Sequence, residues 1–369
     1  MIQRLYAHNY RCFENFELNL KSISSCLLIG KNGSGKSAVG DVLELFQKIG
    51  RGTNRVGELL TPTDFAWGNQ TLPMRFELEA LIEQRPFKYE IAFELPNGFR
   101  ELRVFEEKLS VENTPIYTRD LAQVTVFRTN NNSEAKFLVD WHLVALPIIS
   151  ASSEKDPVQV FKSWLSMLTI LSPIPNLISG DSTSETLHLT KDGANFSDWL
   201  EGLLGAFPAA YADLDNSLKQ VLPDFKDFQR PSTGITSKKL VVQFVRERQS
   251  FRVDFEHLSS GEKCFFIWSA LLAANKHMGG LFCFWDEADS HLSLSEIGHF
   301  ISALRQSYQQ EGQIILTTHS EEIVRRFSHE NTFYLGRKSH LEPTIIRPLS
   351  EVYTGKNIVH DLLLDDIEL

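Results

Sequence analysis

Apolar and polar positions alternate through the opening of the chain, with Ile2, Leu5, Phe13, Phe16, Leu18 and Leu20 on the apolar side, and this predicts early strands. Ser25-Cys26-Leu27-Leu28-Ile29 is a short apolar run that ends in a glycine-rich loop. From Lys36 the period changes: Val39, Val42, Leu43, Leu45 and Phe46 recur at helical spacing. A strand, a glycine-rich turn and a helix are therefore predicted in that order. Alternating runs between about Met74 and Val111, split by turn signals such as Pro96-Asn97-Gly98, predict an antiparallel meander.

From about Trp141 to Phe228 the pattern becomes helical, in PVQVFKSWLSMLTIL and FSDWLEGLLGAFPAAYADLDNSLKQVL, with breaks at Pro173, Pro175 and the polar loop from Gly180 to Ser184. No heptad repeat is sustained there, so no long coiled-coil arm is expected. The last third returns to strands (LVVQFVRE, SFRVDF), then a helix after Ser259. The apolar strands LFCFW and QIILTT follow, each leading into a helix, and such β–α alternation predicts a mostly parallel sheet with covered faces. The expected organisation is an N-terminal lobe (1–140) with the glycine-rich loop and the meander, a helical insertion (141–230), and a C-terminal lobe (231–369).

Composition narrows this picture only a little. The chain has 369 residues, 42% hydrophobic and 23% charged, which fits an ordinary globular protein with a sizeable core. A formal net charge of -10 argues against non-specific coating by nucleic acid, although a local basic groove stays compatible with it. Cys12, Cys26, Cys264 and Cys283 form no C-x-x-C pair and read as small buried hydrophobes in a reducing cytoplasm. The N-terminus has no apolar signal-peptide core, and no run approaches the length of a membrane span.

The chemistry is concentrated in four places. Gly30-Lys31-Asn32-Gly33-Ser34-Gly35-Lys36-Ser37 matches G-x-x-x-x-G-K-S in the strand–loop–helix context that such a phosphate loop needs. Glycines let backbone N–H groups wrap a phosphate chain, Lys36 brings a charge to the β- and γ-phosphates, and Ser37 offers Mg²⁺ a hydroxyl. After the strand Leu281 to Trp285 come Asp286 and Glu287, placed at a sheet's C-terminal edge where α/β ligands bind. Asp286 is expected to hold Mg²⁺ through its water shell and Glu287 to orient the attacking water as general base. One strand later, Ile314-Ile315-Leu316-Thr317-Thr318-His319-Ser320 places His319 where it would bond the γ-phosphate or that water. Between the loop and the acids, Leu258-Ser259-Ser260-Gly261-Glu262-Lys263 opens an apolar helix, with Ser259 or Ser260 as N-cap and Glu262 in its first turn.

Taken in order, GKNGSGKS, LSSGEK, LFCFWDEAD and ILTTHS resemble the Walker A, signature, Walker B and switch-histidine motifs of ABC-type ATPases. The opening IQRLYAHNYRCFENFELNL is similar to the RecF/SMC/OLD branch. The resemblance implies an ABC ATPase head that binds ATP and Mg²⁺ and hydrolyses ATP as a head-to-tail homodimer. In that dimer the signature stretch Ser259–Glu262, chiefly Ser260 and Gly261, would cap the γ-phosphate held by the partner's Gly35, Lys36 and Ser37. It further implies a D-loop at Asp289, which would pack near the partner's Walker A, and a basic residue near the nucleotide at Arg11, for which a surface ion pair is the alternative.

The signature departs from the transporter form, and Ala288 stands where a proline is usual, which favours the SMC-like branch. Gln70 is a candidate for the glutamine loop. About fifty residues follow His319, too few for an added nuclease domain of ordinary size. Compact ATPases of this kind accompany a separate nuclease or toxin in anti-phage systems, so a gated effector partner is the expected function. The alternative is a RecF-like DNA-binding ATPase of repair, with candidate contacts at Arg51, Arg55, Lys238, Lys239, Arg325 and Arg326. A scaffold that binds ATP without turnover and a transporter subunit are further readings, which Glu287 with His319 and the N-terminus, respectively, speak against.

Overall fold

The computed structural model describes residues 1–128, 133–327 and 329–352. The end of the predicted C-terminal lobe, 353–369, lies outside them. The chain divides into two compact units, one formed by Met1–Leu168 with the segment that begins at His329, the other by Thr169–Ser328. The fold is mixed α/β, with an antiparallel N-terminal sheet and mostly parallel strands covered by helices, as the sequence predicts.

In the first unit, eight described strands form an antiparallel sheet in the order Phe16–Asn19, Ile2–His8, Met74–Ile82, Arg85–Glu94, Arg103–Val111, Thr114–Asp120, Gln123–Arg128, Ser133–Leu138. Strict alternation makes this register: Met74, Phe76, Leu78, Ala80 and Ile82 are buried while the residues between them are half-exposed. Phe76 lies opposite Ile91 and Leu78 opposite Tyr89. The meander runs beyond Val111, where the sequence pattern ends. Its last strand, Ser133–Leu138, is largely exposed, so no buried face marks it in the sequence. At its centre Glu107 is fully buried. Its carboxylate accepts the Tyr89 hydroxyl at 2.9 Å, the Tyr117 hydroxyl at 2.7 Å, and the N–H groups of Ala145 at 2.8 Å and Leu146 at 2.9 Å. A buried carboxylate is tolerable only with its lone pairs met in this way.

The phosphate-loop strand Ser25–Ile29 is buried throughout and runs parallel to Thr332–Gly336, which pairs antiparallel with Ile345–Pro348. The helix after the loop, Lys36–Gly50, buries Val39, Val42, Leu43, Phe46 and Ile49. It meets the helix Pro157–Ser166 so closely that a Cβ on Gly50 would lie 2.4 Å from that of Leu165. Asp156 caps this second helix by accepting the Val158 N–H at 2.9 Å, with Pro157 in the first turn, where its missing N–H costs nothing. PVQVFKSWLSMLTIL is thus not one helix as predicted. The helix stops at Ser166, and Thr169–Leu171 is a strand. A short apolar run suits either state, and pairing with a neighbouring strand decides it here.

In the second unit that strand runs parallel to Phe282–Trp285, which runs parallel to Gln313–Thr317. Helices Phe196–Ala206 and Ala210–Val221 divide at Pro208. A small antiparallel sheet of Phe225–Gln229, Val241–Arg246 and Gln249–Asp254 precedes the helix Ser260–His277. This last helix is apolar on almost every side because it is the core of the unit. Phe225, Phe228 and Phe255 set their rings edge-on to Phe266, and Trp268 packs on Trp285 with centroids 4.5 Å apart. No helix among the described residues is long and apolar enough to cross a membrane. All four cysteines are free and buried, and burial pushes the Cys264 thiol up to about 12.

Candidate functional site: a phosphate loop and an acid pair

In the first unit the loop Gly30–Ser37 has the backbone its glycines allow. Gly30, Gly33 and Gly35 have φ of 151°, 78° and 100°. Gly35 is enclosed as well: a Cβ there would lie 2.9 Å from Cys12 Sγ and 3.1 Å from Thr344 Oγ1. No side chain caps the helix Lys36–Gly50, so its positive end faces the loop. Lys36 is buried, and its ammonium donates to the carbonyls of Gly30 at 2.8 Å and Lys31 at 3.1 Å. Ser37 is exposed in the helix's first turn, and Lys31, Asn32 and Gly33 are also exposed. Together these groups have the backbone form of a phosphate loop, with the Lys36 ammonium resting on the loop's own carbonyls.

A strap that sequence reasoning missed holds the loop from outside. Arg337 donates to the Gly33 carbonyl at 3.2 Å and to that of His340 at 2.6 Å, and the Thr344 hydroxyl donates to the Ser34 carbonyl at 2.9 Å. The indole N–H of Trp67 also donates to the His340 carbonyl, at 2.9 Å. This ties the segment carrying Gln70 to the strap, while Asn9 holds the same segment through the carbonyls of Asn69 and Leu72. Gln70 itself is exposed. No local motif marks Arg337 or Thr344. Arg11 reaches Asp41 on the phosphate-loop helix and lies 3.4 Å from Asp64.

In the second unit the acids follow the strand Phe282–Trp285. Asp286 is half-buried and Glu287 exposed. Glu287 has the left-handed φ of 51°, a conformation that L side chains adopt at a cost. The neighbouring strand restrains both: the Thr317 hydroxyl donates to Asp286 Oδ1 at 2.6 Å and accepts the Glu287 N–H at 2.8 Å. Ser290 donates to Glu287 Oε2 at 3.0 Å, and the Thr318 hydroxyl donates to Asp289 at 2.6 Å. His319 follows directly and is exposed.

The signature residues open the central helix. Ser259 and Glu262 form a reciprocal capping box, the Ser259 N–H donating to Glu262 Oε2 at 2.7 Å. Ser260 and Gly261 occupy the first turn, and a Cβ on Gly261 would lie 2.9 Å from the carbonyl of His291, in the loop after the acid pair. That glycine is needed because the backbone at His291 passes over it. Lys263 turns inward to the carbonyls of Pro175 and Ile178, and burial lowers its pKa.

Several proposed DNA contacts are committed elsewhere. Arg51 donates to the carbonyls of Ser166 and Leu168, and burial pulls its pKa down to about 10. It serves as a tie between helices, which corrects its reading as a contact for DNA. Lys238 pairs with Glu201 at 2.5 Å, Lys239 with Asp254 at 2.8 Å, and Arg326 with Glu322 at 2.6 Å. Arg55 and Arg325 are exposed.

The strand–loop–helix of Gly30–Ser37 marks a P-loop protein with a mixed α/β fold. Residues 26–325 match the family described as "AAA domain, putative AbiEii toxin, Type IV TA system", and the chain belongs to that family. No curated protein matches the chain. Among solved structures it is similar to an Smc head bound to the C-terminal winged-helix domain of ScpA, at 13% identity and TM-score 0.56, covering 95% of this chain and 99% of that one. It is also similar to an Smc head with an extended coiled coil, bound to the C-terminal domain of ScpA, derived from Pyrococcus furiosus. There the identity is 11% and the TM-score 0.51, with 99% of each chain covered. At such identities the likeness speaks of fold alone. The longest described helix here, Ser260–His277, has 18 residues.

Proposed function

We propose that the protein binds ATP with Mg²⁺ and hydrolyses it in a site completed by a second copy, and that this cycle gates a separate effector, a nuclease or toxin. The observation that carries the reading is the restrained acid pair, with Asp286 and Glu287 both held by Thr317 at the end of a parallel strand. A helix cap would need no such restraint, whereas an acid that must orient a water does.

Gly30–Ser37 would bind the triphosphate, Lys36 leaving its loop carbonyls for the β- and γ-phosphates. The hydroxyl of Ser37 and the carboxylate of Asp286 are the hard oxygen donors that suit Mg²⁺. When bound, the ion neutralises charge on the β- and γ-phosphates. Glu287, exposed and aimed by its unusual backbone, would take the proton of the attacking water, and His319 would hold that water or the γ-phosphate. Ser260 and Gly261 present a half-exposed helix start suited to an anion carried by another subunit. Asp289, next to it through the D-loop, would face the same partner. The effector part of the reading rests on the family's association with a toxin system. The protein is read as working in the cytoplasm.

A turnover assay with ATP and Mg²⁺, with light scattering of the Glu287→Gln variant, tests the reading. The expected result is turnover by the wild type, none by the variant, and a stable dimer of the variant in saturating ATP–Mg²⁺. A variant that stays monomeric there would overturn the composite site.

A further inference from the structure

The end of the switch-histidine strand holds more of the acid loop than its own sequence needs. Thr317 and Thr318 are both essentially inaccessible to solvent. Between them they engage four consecutive residues of the neighbouring loop. The Thr317 hydroxyl meets the Asp286 carboxylate and the Glu287 N–H, and the Thr317 carbonyl accepts the Ala288 N–H at 3.1 Å. The Thr318 hydroxyl meets the Asp289 carboxylate, and its oxygen accepts the Ser320 N–H at 2.9 Å. Parallel pairing makes this possible, since Trp285 lies opposite Leu316 and the two chains leave the sheet side by side.

Hydrogen-bond direction carries the argument further. A backbone N–H can only donate, so the Glu287 N–H must use an oxygen lone pair of Thr317. The single proton of that hydroxyl is then directed at Asp286 Oδ1, which must accept it. Oδ1 is held there by that bond, and the second carboxylate oxygen remains for another ligand. The same hydroxyl fixes the left-handed turn that aims Glu287. One side chain therefore sets the position of one acid and the direction of the other.

We propose that Thr317 is a positioning residue for ATP hydrolysis: it orients Asp286 toward the Mg²⁺-bound nucleotide and Glu287 toward the attacking water, while Thr318 anchors Asp289 of the D-loop. The proposal rests on the ATPase reading above and deepens it. Thr317 is buried, so its effect reaches the reaction through the two acids it holds. Thr317→Val keeps the side chain's shape and removes its hydroxyl. It strands a carboxylate oxygen and an N–H together, and a lost hydrogen bond to a charged group corresponds to roughly 10- to 100-fold in a rate.

The test compares wild type, Thr317→Val, Thr317→Ser and Glu287→Gln for turnover, for KM against kcat, and for Mg²⁺ dependence of binding a non-hydrolysable ATP analogue. Thr317→Val is expected to lose kcat by about 10- to 100-fold. It should also need several-fold more Mg²⁺ for half-saturation, with KM for ATP little changed. Thr317→Ser, which restores the hydroxyl, is expected to recover both, with melting temperatures reported to separate positioning from folding. A Thr317→Val protein with wild-type kcat and Mg²⁺ dependence overturns the proposal. So does a loss that Thr317→Ser does not repair. Absence of turnover in the wild type overturns the ATPase reading instead, and the Mg²⁺ titration still reports on how Thr317 positions Asp286.

Discussion

The Thr317 hydroxyl oxygen lies 2.8 Å from the backbone nitrogen of Glu287, so one strand fixes the conformation of a residue on the next. That residue has a φ of 51°, which glycine adopts freely and glutamate does not. Replacement of Glu287 by glycine should therefore stabilise the second unit, by about 0.5–1 kcal/mol, while turnover is lost. Denaturant melts beside an ATPase assay check this; a destabilised variant would mean that the side chain's bond from Ser290 outweighs the strain.

The signature glycine has a different requirement, set by space. A methyl at Gly261 meets the His291 carbonyl at 2.9 Å, and backbone cannot yield as a side-chain tip can. Gly261→Ala should cost about 1–3 kcal/mol or displace the D-loop, as overpacking does. Gly57 is the control: its added Cβ has nothing within 4 Å, so Gly57→Ala should be neutral or slightly stabilising. Equal melting shifts for the two variants would contradict the assignment.

At Gly35 both effects combine. A φ of 100° and a Cβ that would crowd Cys12, Phe13 and Thr344 leave no room for alanine. Gly35→Ala is expected to cost at least about 2 kcal/mol and to abolish binding of a fluorescent ATP analogue. Retained affinity would show that the loop can open without loss of its phosphate geometry.

The buried Glu107 cluster supplies a dependence on pH. Burial first, then the Glu107 charge, raises the pKa values of Tyr89 and Tyr117 well above their ordinary level. Both stay protonated in the folded unit while an unfolded chain loses their protons above about pH 10. Their contribution is complete below that pH and is lost as pH rises toward the folded values, at up to about 1.4 kcal/mol per pH unit for each tyrosine. A Tyr89→Phe/Tyr117→Phe double variant should be less stable at neutral pH yet show a flatter decline above pH 10 in denaturant titrations. An unchanged alkaline slope would contradict the coupling.

Local pattern disclosed what local chemistry makes. The Gly30–Ser37 loop, the acid pair and the alternation of Met74–Ile82 are visible in the sequence because a phosphate, an ion or a half-buried sheet demands those residue types in those places. Contacts across long separations stayed hidden. Nothing near Arg337 or Thr344 announces that they grip a loop some 300 residues earlier. Glu107 stands in an alternating run like any solvent-facing glutamate, and only the fold reveals two tyrosines converging on it. Arg51 looked like a free cation because its partners are main-chain carbonyls, which carry no sequence signature.

Those long separations also order events during synthesis. The phosphate-loop strand pairs with Thr332–Gly336, and the loop's outer grip comes from Arg337 and Thr344. A growing chain therefore carries the loop Gly30–Ser37 some 300 residues before it gains the strand and clamp that shape it. The whole of the second unit, Thr169–Ser328, is made in that interval. The loop's outer grip is therefore complete only once Thr344 has been made, so its shape depends on residues from both sides of the second unit.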